Sequence, residues 1–241
     1  MRRPSPSAAL VAALGAIACA GVLGADSGRA YTRPGAGGSV PPASYVAYAR
    51  GRSVAVYDSE RSSRPRLTLA NPTDGGTLLS FLVRSLRRPR ALVYLPNRPN
   101  GSTGWIDRSQ VRVYTTAYRV RIELASHRLT VWRSGRVVDR QPIGVGRAVT
   151  PTPPGTYYIV SRIRPFDPSS VYGAFAFGLS AHSNVFARFG FGGDGRIGLH
   201  GTNDPAGVGH DVSHGCIRMT NRSILRLSRL LALGTPVVIA R

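Results

Sequence analysis

Short apolar runs broken by glycine- and proline-bearing clusters fill most of this chain, and that pattern constrains its fold more than any other feature. Val54–Tyr57, Ala91–Leu95 and Arg128–Arg133 are long enough for strands and too short for helices. Between such runs stand clusters like Asn71-Pro72-Thr73-Asp74-Gly75-Gly76 and Asn100-Gly101-Ser102-Thr103-Gly104. Glycine reaches positive φ and proline cannot donate to a ladder, so these clusters read as turns. With 28 Gly and 18 Pro among 241 residues, a strand-and-turn protein is favoured over a helical bundle.

The N-terminus is an address. Met1-Arg2-Arg3 precedes an uncharged stretch from Ala8 to Ala25, and small residues follow at Gly28 and Ala30. Residues 1–30 therefore have the pattern of a secretory signal peptide. The stretch is also marginal for a membrane span, and Cys19 within it offers a lipidation position. An uncleaved or lipidated leader is the alternative, and the only route to a membrane. Residues 31–44 are rich in Gly, Pro and Ser and read as a linker.

Charge is lopsided, with 32 Lys+Arg against 11 Asp+Glu and a net charge of +21. Every basic residue is Arg, which a GC-rich coding bias accounts for without special chemistry. The resulting positive field concentrates polyanions and is screened by salt. Nucleic acid, anionic lipid and an acidic wall polymer all fit such a field; nucleic acid has no motif support here, and export opposes it. The chain holds only Cys19 and Cys216. Removal of the leader leaves one thiol, and an exported protein with a single unpaired cysteine points to use of that thiol.

Two units follow the linker. Residues 45–116 carry runs at Tyr45–Ala49, Val54–Tyr57, Arg66–Leu69, Leu78–Val83, Ala91–Leu95 and Val111–Tyr114, a spacing that suggests a small barrel. Residues 117–241 begin with three strands, Val120–Leu124, Arg128–Arg133 and Arg136–Val145. Ser134-Gly135 forms a tight turn between the second and third. A rigid Pro151-Thr152-Pro153-Pro154-Gly155 turn leads into Thr156–Val160, and residues 165–195 read as a long surface excursion. Near the end, Asn221 reads as the N-cap of a helix with Ile224, Leu225, Leu227, Leu230 and Leu231 on its apolar face. Gly234 reads as its stop, and Val237–Ile239 as a closing strand.

The chemistry concentrates in Ile197-Gly198-Leu199-His200-Gly201-Thr202 and in Val212-Ser213-His214-Gly215-Cys216-Ile217-Arg218-Met219-Thr220-Asn221. A free thiol is mostly protonated at neutral pH and needs a nearby base or cation to act as a nucleophile. His200 and His214 are the candidate bases. Gly215 leaves the backbone beside the thiol bare, where N–H groups would cradle an oxyanion. Arg218 offers a planar charged fork for a carboxylate. A lone cysteine beside Ile217 and Met219 also fits a small buried hydrophobe. The histidines at 200, 210 and 214 with one thiol lack the paired-cysteine spacing of a structural zinc site. His210 reads as a surface loop residue, His182 as a hydrogen-bonded loop residue, and His127 as part of a hairpin turn.

The Leu-His-Gly-Thr and Ser-His-Gly-Cys-Ile-Arg-Met segments strongly resemble the L,D-transpeptidase catalytic domain of the YkuD type. Further likeness lies in Val120–Gly146, in Tyr172-Gly173 with Phe175 and Leu179-Ser180, and in Gly234-Thr235-Pro236-Val237. The Thr150–Thr156 turn also fits, with Pro154 where Thr is usual, so that the resemblance covers about residues 117–241. The Pro99–Ile106 stretch resembles bacterial SH3-like modules.

These resemblances imply a mainly β protein: an L,D-transpeptidase-type β-sandwich with a C-terminal helix, plus a small SH3-like β-barrel. They imply Cys216 as nucleophile, His200 as base, and the Gly201 carbonyl as the group orienting His200. His214 and Gly215, with Cys216, would supply oxyanion N–H groups. Arg218, Ser213 and Asn221 would meet substrate. The implied activity is 3→3 cross-linking of peptidoglycan stems through a thioester, with no metal or organic cofactor. The implied partners are stem peptides, with anionic wall polymers as a second class and no nucleic acid. The implied location is the wall, periplasm or exterior. An L,D-carboxypeptidase and a non-catalytic wall-binding protein are the competing readings.

Overall fold

The computed structural model describes residues 44–188 and 193–241; the leader, and the linker through residue 43, lie outside the described residues. Seven strands come first: β1 (Ser44–Ala49), β2 (Ser53–Tyr57), β3 (Leu67–Ala70), β4 (Ser80–Leu86), β5 (Arg90–Tyr94), β6 (Thr103–Asp107) and β7 (Val111–Thr116). They form one antiparallel sheet in the order β3-β2-β6-β5-β4-β1-β7. Alternating residues such as Val54 and Val56, and Ala91 and Val93, turn inward to a core shared with Phe81 and Ile106. Trp105-Ile106 lie inside β6, a strand hidden from the sequence by the turn cluster that runs into it. Ser44, placed in the linker by composition, is already paired with Thr116 in β1.

The second unit contains β8 (Tyr118–Glu123), β9 (Arg128–Arg133), β10 (Arg136–Pro142), β11 (Val145–Gly146), β12 (Gly155–Ile163), β13 (Ala176–His182), β14 (Arg196–His200), β15 (Asp211–Ser213), β16 (Ile217–Arg218), α1 (Asn221–Leu230) and β17 (Pro236–Ala240). Eight of these strands run in the order β10-β9-β8-β17-β12-β13-β14-β16, and β11 pairs separately with β15. The β12 strand makes the sandwich. Its first half, Gly155–Tyr158, pairs with β17, while its second half, from Ile159, pairs with β13 across a register shift. A strand that changes partners at a bulge carries the sheet from one layer to the other. Val120, Ile122, Leu129 and Val131 of one layer then meet Phe177, Leu179, Ile197 and Leu199 of the other in one core. Ile224 and Leu227 of α1 enter the same core, and burying each is worth about 1.5–3 kcal/mol. The described chain is thus mainly β with one C-terminal helix.

Three local readings need correction. Residues 165–195 are not one surface excursion, because β13 lies within them and Phe177, Leu179 and Ala181 are fully buried. A glycine, a serine and a histidine among its apolar residues disguise that strand. The helix N-cap is Thr220, whose Oγ1 accepts from Ser223 N at 3.2 Å. Asn221, one residue later, instead accepts from Ala174 N at 2.9 Å through Oδ1. Gly234 is not the helix stop: α1 ends at Leu230, with Leu231 already extended. Gly234 serves a later turn, at φ +79° and close against Val46 of the first sheet. The Ser134-Gly135 turn is as expected, with φ of 49° and 80° at its two central residues.

Candidate active site

His200 ends β14, and Cys216 immediately precedes β16. These two strands are parallel, with Leu199 opposite Ile217 and His200 opposite Arg218. The register therefore carries Cys216 alongside Gly198. Gly198 and His200 are two apart on one strand and share a face, while Ile197 and Leu199 point into the core. Gly198 N donates to Cys216 Sγ at 3.3 Å. A Cβ at position 198 would lie 3.4 Å from His200 Cδ2 and 3.7 Å from Cys216 Sγ. The bare glycine is thus the floor of a space that the imidazole and the thiol both border.

His200 is held by its own neighbour. Its Nδ1 lies 2.5 Å from the carbonyl oxygen of Gly201. A carbonyl only accepts, so Nδ1 carries the proton and Nε2 keeps its lone pair. Tyr172 stacks edge-on to the imidazole with ring centroids 5.1 Å apart. Burial pushes the imidazole down to about 4, opposed by the Gly201 bond and reinforced by the Arg218 charge. Burial pushes the Cys216 thiol up, against the lowering influence of the Gly198 N–H and of Arg218. Both groups are therefore neutral at rest near pH 7. An acid and a base of this kind store a proton transfer for the moment of attack, rather than a standing ion pair.

The cysteine loop is clamped from below. Ser213 Oγ donates to the Cys216 carbonyl at 2.5 Å and accepts from Gly215 N at 3.0 Å. Thr150 Oγ1 donates to Ser213 O at 3.0 Å, and Thr152 Oγ1 donates to Gly215 O at 2.9 Å while accepting from Gly146 N. Both hydroxyls come from the proline-rich turn before β12, a bracing role that the sequence reading did not assign. The Gly215 N–H is spent on Ser213. Among the described residues, His214 and Cys216 are the loop N–H groups with no protein acceptor.

Gly215 has φ +114°, and a Cβ there would stand 3.0 Å from Ile197 Cδ1. Gly215→Ala is expected to cost about 1–3 kcal/mol in urea unfolding and to displace the thiol. Unchanged stability would show that the loop does not need this backbone.

The remaining residues divide. Arg218 pairs its backbone with Gly144, and its Nε is buried without an acceptor among the described residues. Exposed His214 meets Phe186 edge-on, with centroids 5.9 Å apart. Ser213 is buried and braces the loop, and the Asn221 carboxamide oxygen is committed to Ala174. His182 is buried against Asp194 at 3.1 Å, and His127 bonds Asp211 at 2.8 Å. His210 is exposed, as a surface loop residue should be. A cleft of about 1070 Å³ between the two sheets is lined by Leu79, Ser80, Arg98, His182, Asp194 and Arg196, none of them from the Cys216 site. Among the described residues no three His, Cys, Asp or Glu side chains gather as a metal site would require.

Comparison with known proteins locates the same half of the chain. The YkuD protein of Bacillus subtilis is 36% identical over 128 residues, covering 53% of this chain and 69% of its own length. The YkuD protein of Bacillus licheniformis is 37% identical over 125 residues, covering 52% of this chain and 67% of its own. Among solved structures, Bd1075 of Bdellovibrio bacteriovorus is 30% identical with a TM-score of 0.39. That likeness covers 51% of this chain and 46% of Bd1075, less than half of its length. The YkuD family, described as the L,D-transpeptidase catalytic domain, matches residues 117–239, the stretch that holds both Cys216 and His200. By that match, and by its identity to the two Bacillus proteins, the chain belongs to the L,D-transpeptidase catalytic domain family.

Proposed function

We propose that this chain is an exported, cysteine-dependent L,D-transpeptidase acting on peptidoglycan tetrapeptide stems. In this reading residues 1–30 are its leader, 45–116 an SH3-like module and 117–241 the catalytic domain. The observation that carries the reading is the shared space over Gly198, bordered by the Cys216 thiol and by an imidazole whose tautomer Gly201 fixes.

His200 Nε2 takes the Cys216 proton as sulfur attacks the carbonyl preceding the terminal D-Ala. The His214 and Cys216 N–H groups receive the oxyanion, each such donor being worth about 10²–10³ in rate. The Arg218 guanidinium, with a buried N–H seeking an acceptor, holds a stem carboxylate. Collapse breaks the C–N bond, His200 returns the proton to the departing D-Ala amine, and a thioester remains. The acceptor amine, typically a diaminopimelate side chain, then gives its proton to His200 as it attacks. The 3→3 cross-link forms and the thiol is restored. Every step uses protons and electron pairs held by the chain and its substrates, so no metal or organic cofactor enters.

The arginine excess supports retention near anionic wall polymers by salt-sensitive contacts. Incubation with purified disaccharide-tetrapeptide, read by mass, tests the proposal. Dimer with loss of D-Ala is expected. Tripeptide alone would make water the acceptor and the enzyme an L,D-carboxypeptidase, and an unchanged substrate would leave a wall-binding protein.

A further inference from the structure

The chain between β13 and β14 leaves at His182 and returns at Arg196, and its described parts are held by the other sheet. The loop joining β5 to β6 reaches across. Arg98 Nη1 donates to Ser183 O at 2.8 Å, and its Nη2 donates to Phe186 O at 2.8 Å and to Asp194 O at 3.3 Å. One guanidinium thus joins the departing limb to the returning limb. Asn100 adds a two-point bond to one residue: its Nδ2 donates to His182 O at 2.7 Å, and its Oδ1 accepts from His182 N at 2.8 Å. Arg196 answers from the other side, with Nη1 donating to Pro96 O at 3.3 Å.

Carbonyls on a segment outside a ladder need partners, and here a planar fork with several donors supplies them at once. The far end of this segment reaches the chemistry, because Phe186, whose carbonyl Arg98 holds, sets its ring against His214 in the cysteine loop.

We infer that Arg98 and Asn100 are positioning residues for the Cys216 site. They fix the backbone of 182–186 and so hold Phe186 against His214, forming one wall of the pocket that receives the stem peptide. The first unit is then a structural part of substrate selection rather than a spacer. Neither residue touches the thiol or the imidazole; both act through Phe186. The part played by the stem peptide rests on the transpeptidase reading. The position of Phe186 does not.

The test uses the full chain with ¹³C-labelled histidine, the His214 ring signal being assigned through His214→Gln. Phe186→Leu provides the reference shift for a His214 without its aromatic neighbour. In Arg98→Ala, and in Asn100→Asp as a second variant of nearly unchanged shape, the His214 signal is expected to move toward that reference. The KM for tetrapeptide is expected to rise about tenfold, with kcat within about twofold. Alkylation of Cys216 by iodoacetamide, a reagent too small to use the wall, is expected to proceed at the wild-type rate. A His214 signal unmoved in both variants overturns the inference. So does a moved signal with an unaltered KM, since the wall would then have no bearing on substrate. Absence of any tetrapeptide turnover in the wild type would sink the transpeptidase reading, and the His214 signal would still decide whether Arg98 and Asn100 set the position of Phe186.

Discussion

Replacing Cys216 by alanine is expected to lower D-Ala release from tetrapeptide by about 10⁴-fold or more. Meropenem is expected to form one covalent adduct on the wild-type protein and none on this variant. The size follows from what is removed. The sequence holds one other cysteine, Cys19, within the proposed leader, and among the described residues Cys216 is the free cysteine. The oxyanion N–H groups and Arg218 would persist in the variant, so substrate binding should fall far less than turnover. The fold should persist as well, because Sγ accepts one modest bond from Gly198 and fills little of the core. Intact-protein mass spectrometry with meropenem and product analysis with tetrapeptide are the two readouts. Wild-type levels of either in Cys216→Ala would place the nucleophile elsewhere.

His200→Gln is the second large effect, expected to reduce acyl transfer by about 10²–10⁴-fold, the range of a lost general base. Glutamine keeps much of the size of the imidazole but cannot take the thiol proton. The same variant carries a distinct pH signature. The unfolded chain takes up a histidine proton near 6.5, whereas burial holds folded His200 down to about 4. Below pH 6.5 the unfolded state therefore binds more protons, so stability that is present above 6.5 is lost as pH falls toward 4. His200 should account for about 3 kcal/mol of that loss. Urea unfolding of wild type and His200→Gln at pH 7 and pH 4 isolates this share as the difference between the two proteins. Equal pH dependence in both would mean that burial does not hold the His200 imidazole below its unfolded value.

The neutral resting pair separates this site from one with a preformed thiolate. The difference in absorbance near 240 nm between wild type and Cys216→Ser should be absent at pH 7 and should appear only as the pH is raised well into the alkaline range, because burial pushes the thiol up. A thiolate signal at neutral pH would show instead that the proton already rests on His200.

The residues of this site were reached through two motif segments and their resemblance to a family, and the structure brings Cys216, Gly198 and His200 to one place. The Gly201 carbonyl bonds the residue before it, and Gly215 stands beside the thiol it exposes. Strand alternation in Ile197-Gly198-Leu199-His200, which separates the core face from the reactive face, belongs to β14, a strand not expected from the sequence. What sequence could not supply was register. Only the parallel pairing of β14 with β16 brings Gly198 beside Cys216. Only the return of the proline-rich turn against the cysteine loop gives Thr150 and Thr152 their bracing carbonyls. The strand β13 was hidden because Gly178, Ser180 and His182 interrupt its apolar residues, and only tertiary burial makes it a central strand. Asn221 illustrates a displaced role: it lies where a helix cap is expected, but the backbone of Ala174 has its oxygen, and the cap moves to Thr220.

The most direct measurement is to trap the acyl-enzyme. Wild-type protein mixed with excess tetrapeptide donor whose diaminopimelate side-chain amine is acetylated, so that no acceptor amine is present, then quenched in acid within the first turnovers and digested, should yield the peptide containing Cys216 heavier by the donor less D-Ala. The bond should be cleaved by hydroxylamine, and the species should be absent in His200→Gln over the same interval. Release of D-Ala with no thioester at Cys216, or an equal yield of it without the imidazole, would contradict a nucleophile at 216 served by a base at 200.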